Sequence, residues 1–128
     1  MNALAVDQHQ PIVVVEDDAG MSKAIVRLLR AAGFQPVSFA SAEELLQTEA
    51  ADSAACLVLD IHLPGLSGIE LGRLLVTSGR PKPVIFITGQ DEPSLRDEAR
   101  SLGCAYFRKP FEGKALLEAI RAVVTVDT

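Results

Sequence analysis

Leu57-Val58-Leu59-Asp60 decides the reading of this chain. It is a run of apolar strand formers that ends on a carboxylate. Ala54-Ala55-Cys56 precedes it, and Leu63-Pro64-Gly65 and Gly68 follow. An apolar run bounded by turn residues reads as a buried strand. A strand buried on both faces of a parallel sheet carries no charge along its length, so Asp60 belongs where the strand leaves the sheet. In open α/β sheets the ligand crevice lies at that edge. Taken alone, Asp60 is also explained as a turn residue; the other strand ends change that.

Working outward toward the N-terminus, Pro11-Ile12-Val13-Val14-Val15 reads as the first strand and runs into Glu16-Asp17-Asp18. Asp17 or Asp18 can cap the helix that follows, but one cap does not account for three consecutive acids. That helix is expected from about Ala19 to Ala32, stopping at Gly33. Met21, Ile25, Leu28, Leu29 and Ala32 form its apolar stripe. Lys23, Arg27 and Arg30 share the other face, either as a solvated surface or as a docking surface. Gln35 to Phe39 reads as a shorter second strand, and Ser41-Ala42-Glu43-Glu44 as a capping box opening a short helix.

Beyond Asp60, a third helix is expected from Gly68 to about Thr77. Pro81 and Pro83 break the chain, and Val84-Ile85-Phe86-Ile87 reads as a fourth strand ending on Thr88-Gly89. Pro93 suits the first turn of a fourth helix, which Gly103 closes. Cys104 to Arg108 reads as a fifth strand ending on Lys109-Pro110. Leu116, Leu117, Ile120, Val123 and Val124 give a last helix its apolar face. Strand and helix thus alternate five times, which predicts a parallel sheet with helices on both faces.

At 128 residues the chain has the size of one domain, read here as 1–128 with a loose tail over 1–10. A net charge of −5 argues against direct nucleic-acid binding, which needs a basic footprint. No apolar run reaches membrane-spanning length, and the first ten residues hold no Lys or Arg to start a signal peptide. A cytoplasmic location is the expectation. Cys56 and Cys104 fall in predicted strands and read as small core residues. With the fourth strand between theirs, about 9.5 Å would separate them, beyond disulfide reach.

Four strands therefore end on groups capable of chemistry: Glu16-Asp17, Asp60, Thr88 and Lys109. In a parallel sheet these ends share one edge. Carboxylates brought together repel and lose water, and a hard divalent cation such as Mg²⁺ would neutralise them. Lys109 supplies a point charge and Thr88 a hydroxyl donor. An aspartate can act as a phosphoryl nucleophile, and such transfer depends mainly on positioning and charge stabilisation.

Val14-Val15-Glu16-Asp17-Asp18, Leu59-Asp60-Ile61-His62-Leu63-Pro64-Gly65-Leu66-Ser67-Gly68, Ile87-Thr88-Gly89 and Lys109-Pro110-Phe111 together resemble the receiver domain of two-component response regulators, over about residues 11 to 124. The resemblance implies a flavodoxin-like, doubly wound, five-stranded parallel sheet of order 2-1-3-4-5. It implies that Asp60 accepts a phosphoryl group from a sensor histidine kinase or a histidine phosphotransfer protein. It makes Asp17 a direct Mg²⁺ ligand, Glu16 a metal-side carboxylate and the His62 backbone carbonyl a third contact. Lys109 would pair with the phosphoryl group, and the bond before Pro110 would be cis. Thr88 and Tyr106 would form a switch read out on the fourth helix, fifth strand and fifth helix. His62 and Gln90 fall where the family tunes phosphoryl lifetime. Dimerisation on phosphorylation stays open.

Two other readings compete. A haloacid-dehalogenase-type phosphatase would carry a second Asp two residues after its nucleophile, where this chain has His62. A pseudo-receiver would lack Asp60 or Lys109, and both are present. No Gly-rich phosphate loop follows the first strand, which removes a nucleotide-binding reading.

Overall fold

The computed structural model describes residues 11–79, 81–103 and 105–124. Five strands form one parallel sheet: β1 (Pro11–Val15), β2 (Gln35–Phe39), β3 (Cys56–Asp60), β4 (Val84–Thr88) and β5 (Ala105–Arg108). Their order is β2-β1-β3-β4-β5, as expected. Both β3 and β4 are buried at every position, because helices cover both faces of the centre of the sheet.

Alternation along the strands sorts the core into two layers. Val13, Val15, Leu57, Leu59 and Phe86 point to one side, where they meet Leu45, Ile69, Leu71 and Ala99 from α2 (Ala42–Leu46), α4 (Gly68–Val76) and α5 (Pro93–Leu102). Ile12, Val14, Val58, Ile85 and Ile87 point to the other side, onto Ile25 and Leu29 of α1 (Ala19–Ala31) and Leu116 and Ile120 of α6 (Gly113–Val123).

The helix count departs from five. A single extra turn, α3 (Ala50–Ser53), lies between α2 and β3. The fourth and fifth helices of the sequence reading are therefore α5 and α6. The capping at Ser41 is also different in detail. Ser41 Oγ accepts from Glu44 N–H at 3.1 Å, but the Glu44 carboxylate accepts from Ala40 rather than from Ser41. A reciprocal capping box stands instead at Ser67 and Glu70, opening α4. The expectations for the tail over 1–10 and for Cys104, with its bridge to Cys56, lie outside the described residues.

Register places the strand ends at one level. Val15 pairs with Leu59, so Glu16 stands beside Asp60. Asp60 pairs with Ile87 and Thr88 with Arg108, which sets Thr88 and then Lys109 one step further along the same edge. The Lys109–Pro110 bond is cis.

Candidate functional site

Each acid after β1 has a different role. Asp18 is the helix cap: its Oδ2 accepts from Met21 N–H at 2.8 Å, filling one of the open donors at the start of α1. Asp17 is exposed. Glu16 is only 2% exposed, and its Oε2 accepts from Asp18 N–H at 3.1 Å. Asp60, 4% exposed, closes β3. One carboxylate oxygen each from Glu16, Asp17 and Asp60 falls within 4.8 Å of the others.

Lys109 reaches this cluster from the far side. Its Nζ lies 2.6 Å from Glu16 Oε1 and 3.1 Å from Asp60 Oδ2. Asp60 Oδ1 accepts from the backbone N–H of His62 at 3.0 Å. Each oxygen of Asp60 is thus held by one donor, which fixes the plane of the carboxylate. Burial alone would push the Lys109 ammonium down. Hydrogen bonds to Glu16 and Asp60, and their charges, outweigh it and hold its pKa above the ordinary lysine value. Burial also pushes Glu16 up to about 7, against the lowering by Lys109 and by the Asp18 amide, while Asp60 adds to the rise.

Three carboxylates against one ammonium leave a surplus of negative charge where two of the acids are nearly sealed from water. The donors on offer are all oxygens. That set fits a hard divalent cation such as Mg²⁺, which takes one or two carboxylates and keeps several waters.

Thr88 and Tyr106 are placed differently from the acids. Thr88 is fully buried, and its hydroxyl is engaged within its own turn, donating to Gln90 O at 2.8 Å and accepting from Gln90 N–H at 3.1 Å. Tyr106 donates its hydroxyl to Asp91 Oδ1 at 3.0 Å, while Arg96 contacts the other carboxylate oxygen at 3.3 Å. The His62 side chain is exposed, with Nε2 3.7 Å from Glu92 Oε1. The segment 90–92 therefore supplies a partner to Thr88, to Tyr106 and to His62. Sequence reading assigned nothing to Asp91 or Glu92, because nothing local links them to residues 15 and 30 positions away.

The loop from Asp60 to α4 is closely tied. Gly68 packs so near the end of β3 that a Cβ there would lie 2.1 Å from the Asp60 carbonyl oxygen, and its N–H donates to Ile61 O at 2.9 Å. At the loop's tip, Leu66 N–H donates to Glu43 Oε2 at 2.7 Å.

The family model for the response regulator receiver domain matches residues 12–121. Nodulation protein W of Bradyrhizobium diazoefficiens is 39% identical over 117 residues, covering 91% of this chain and 52% of that protein. The response regulator protein TmoT of Ectopseudomonas mendocina is 34% identical over 119 residues, covering 92% and 54%. The chain thus spans about half the length of these curated relatives. Among solved structures, a response regulator receiver protein from Burkholderia phymatum superposes with a TM-score of 0.77 at 38% identity, covering 92% of this chain and 97% of that one.

Proposed function

This chain belongs to the response regulator receiver domain family of two-component signalling, and from that membership we propose that Asp60 is its phosphoacceptor. The donor is the phosphohistidine of a sensor histidine kinase or of a histidine phosphotransfer protein. A carboxylate oxygen of Asp60 attacks phosphorus, the bond to the donor imidazole nitrogen breaks, and an acyl phosphate forms. The leaving imidazole takes its proton from solvent. One observation carries the reading: Asp60 ends the central strand beside the carboxylates of Glu16 and Asp17, with one oxygen held by the Lys109 ammonium and the other by the His62 N–H.

Glu16, Asp17 and Asp60, with the His62 carbonyl, would hold Mg²⁺, which when bound neutralises charge on the transferring group. The protein's own contribution is positional. His62 N–H and Lys109 orient Asp60, and Lys109 is placed to transfer its hydrogen bond from the carboxylate to the arriving phosphoryl oxygens. Thr88 then exchanges Gln90 for the phosphoryl group, and Tyr106 leaves Asp91. The surface of α5, β5 and α6 carries the change onward.

Within these 128 residues we read one receiver domain, working in the cytoplasm as a signalling module rather than as an enzyme with a separate product. The family match and the regulator relatives support this. Among the described residues no helix is long and apolar enough to cross a membrane. The exposed His62, where a dehalogenase-type phosphatase has its acid, weakens the phosphatase reading.

The deciding experiment is intact-mass spectrometry after treatment with acetyl phosphate and Mg²⁺. The wild type should gain one phosphoryl group that is lost with hydroxylamine. Asp60→Asn should gain none while keeping its fold. Equal gain by that variant at the same rate would overturn the assignment.

A further inference from the structure

From the packing of α2 against the loop that leaves Asp60, we propose that Glu43 is a positioning residue for the metal site. The inference rests on the reading of Glu16, Asp17 and Asp60 as a Mg²⁺ site. Glu43 stands on α2, 23 residues before its partner, and touches none of those carboxylates in the interactions described.

The loop 61–67 carries His62, whose backbone N–H is one of the two donors that orient Asp60. The loop is fixed at its ends by the strand it leaves and the helix it enters. Ile61 N–H donates to Ile87 O, Gly68 N–H donates to Ile61 O, and the Ser67–Glu70 box seats the start of α4. Between these ends Asp60 takes the His62 N–H and Glu92 lies beside the His62 ring, while the tip of the loop is anchored by Glu43. Its carboxylate takes the Leu66 N–H at 2.7 Å, a charge-assisted bond at the short end of the range.

Gly65 lets the carboxylate come that near. It has φ +73°, and a Cβ on it would lie 2.5 Å from the Glu43 oxygen. The tip is therefore built to receive this side chain, with Leu63 packed beneath it in the core. Releasing the Leu66 amide costs little stability, because water can replace the acceptor at this exposed place. It frees the tip of a short loop whose first residues set the angle of Asp60. Supporting groups of this kind act on metal affinity more than on folding.

Glu44 supplies the control. It is the next residue, carries the same charge, and uses its carboxylate on Ala40 instead. Mg²⁺ titration by calorimetry should be run on wild type, Glu43→Ala, Glu43→Gln and Glu44→Ala, with circular dichroism confirming the fold of each. Glu43→Ala should weaken Mg²⁺ binding by on the order of tenfold. Glu43→Gln, which keeps a carbonyl acceptor, should recover most of that loss. Glu44→Ala should stay within about twofold of wild type, the expected cost of one remote surface charge. If Glu43→Ala binds Mg²⁺ as wild type does, or Glu43→Gln and Glu44→Ala are as weak as Glu43→Ala, Glu43 does not position the site. Wild type that binds no Mg²⁺ would instead remove the metal-site reading itself.

Discussion

The ends of β1 and β4 lie on the same edge of the sheet and are prepared in opposite ways. After β1, Glu16 already touches Lys109, and its carboxylate already clusters with those of Asp17 and Asp60. After β4, Thr88 is bound to Gln90, and across the loop Tyr106 is bound to Asp91. The half proposed to receive charge is assembled at rest, whereas the half proposed to report it is held by its own turn. On that reading the site accepts a group without first moving its acids, and it passes the event on by breaking the Thr88–Gln90 and Tyr106–Asp91 contacts.

The largest test of this contrast removes one group from each half. Lys109→Met strips the ammonium from two buried carboxylates, and in chelator should cost about 3 kcal/mol of unfolding free energy. Mg²⁺ should return more stability to this variant than to wild type. Thr88→Val removes only the two bonds internal to a turn and should cost about 1 kcal/mol, with no change in the gain from Mg²⁺. Urea denaturation with and without Mg²⁺ checks both. Equal losses, or an equal response to the ion, would erase the distinction between the halves.

A smaller effect concerns Glu16. Burial lifts it from 4.5 to about 7, so between those values the folded chain keeps a proton that the unfolded chain has lost. Its contribution to stability is then full below about 4.5 and is lost progressively as pH rises through about 7. Metal-free wild type should lose thermal stability over that window relative to Glu16→Gln. Parallel melting curves for the two proteins would show that Glu16 is not held protonated.

The smallest effect lies on the β4 side. Burial first, and the Asp91 carboxylate second, raise the Tyr106 pKa above its ordinary value of 10.0. Tyr106 is the single tyrosine in a chain without tryptophan, so its ultraviolet absorbance titration is unobscured. The midpoint should lie above 10.0, fall in Asp91→Asn, and ignore Mg²⁺. A shift on adding Mg²⁺ alone would mean that the two halves are already coupled at rest.

The same contrast separates what the sequence disclosed from what it did not. The apolar runs ending at Val15, Leu59 and Ile87 set the central strands, because a buried parallel strand tolerates nothing else. The residues that follow them set the edge where chemistry gathers, and the receiver motifs gave the strand order. What stayed hidden depends on contacts between distant positions. Ala50–Ser53 is one turn of helix without periodicity to announce it. Ser67–Glu70 and Ser41–Glu44 share the same S-x-x-E pattern, and which of the two closes reciprocally depends on the backbone N–H that the glutamate reaches. Asp91 and Glu92 read as ordinary loop residues until β5 and the loop after β3 are brought beside them. Glu43 is similar: its place on a short helix is legible, its partner 23 residues on is not.

The contact between Glu16 and Lys109 joins positions 93 apart, almost the span of the whole fold. Closing so long a loop is entropically late work for a folding chain. During synthesis β1, β3 and Asp60 leave the ribosome well before Lys109 is made. A nascent chain therefore carries Asp60 but not the cation that orients it, and the acidic cluster gains its ammonium only once the last strand is in place.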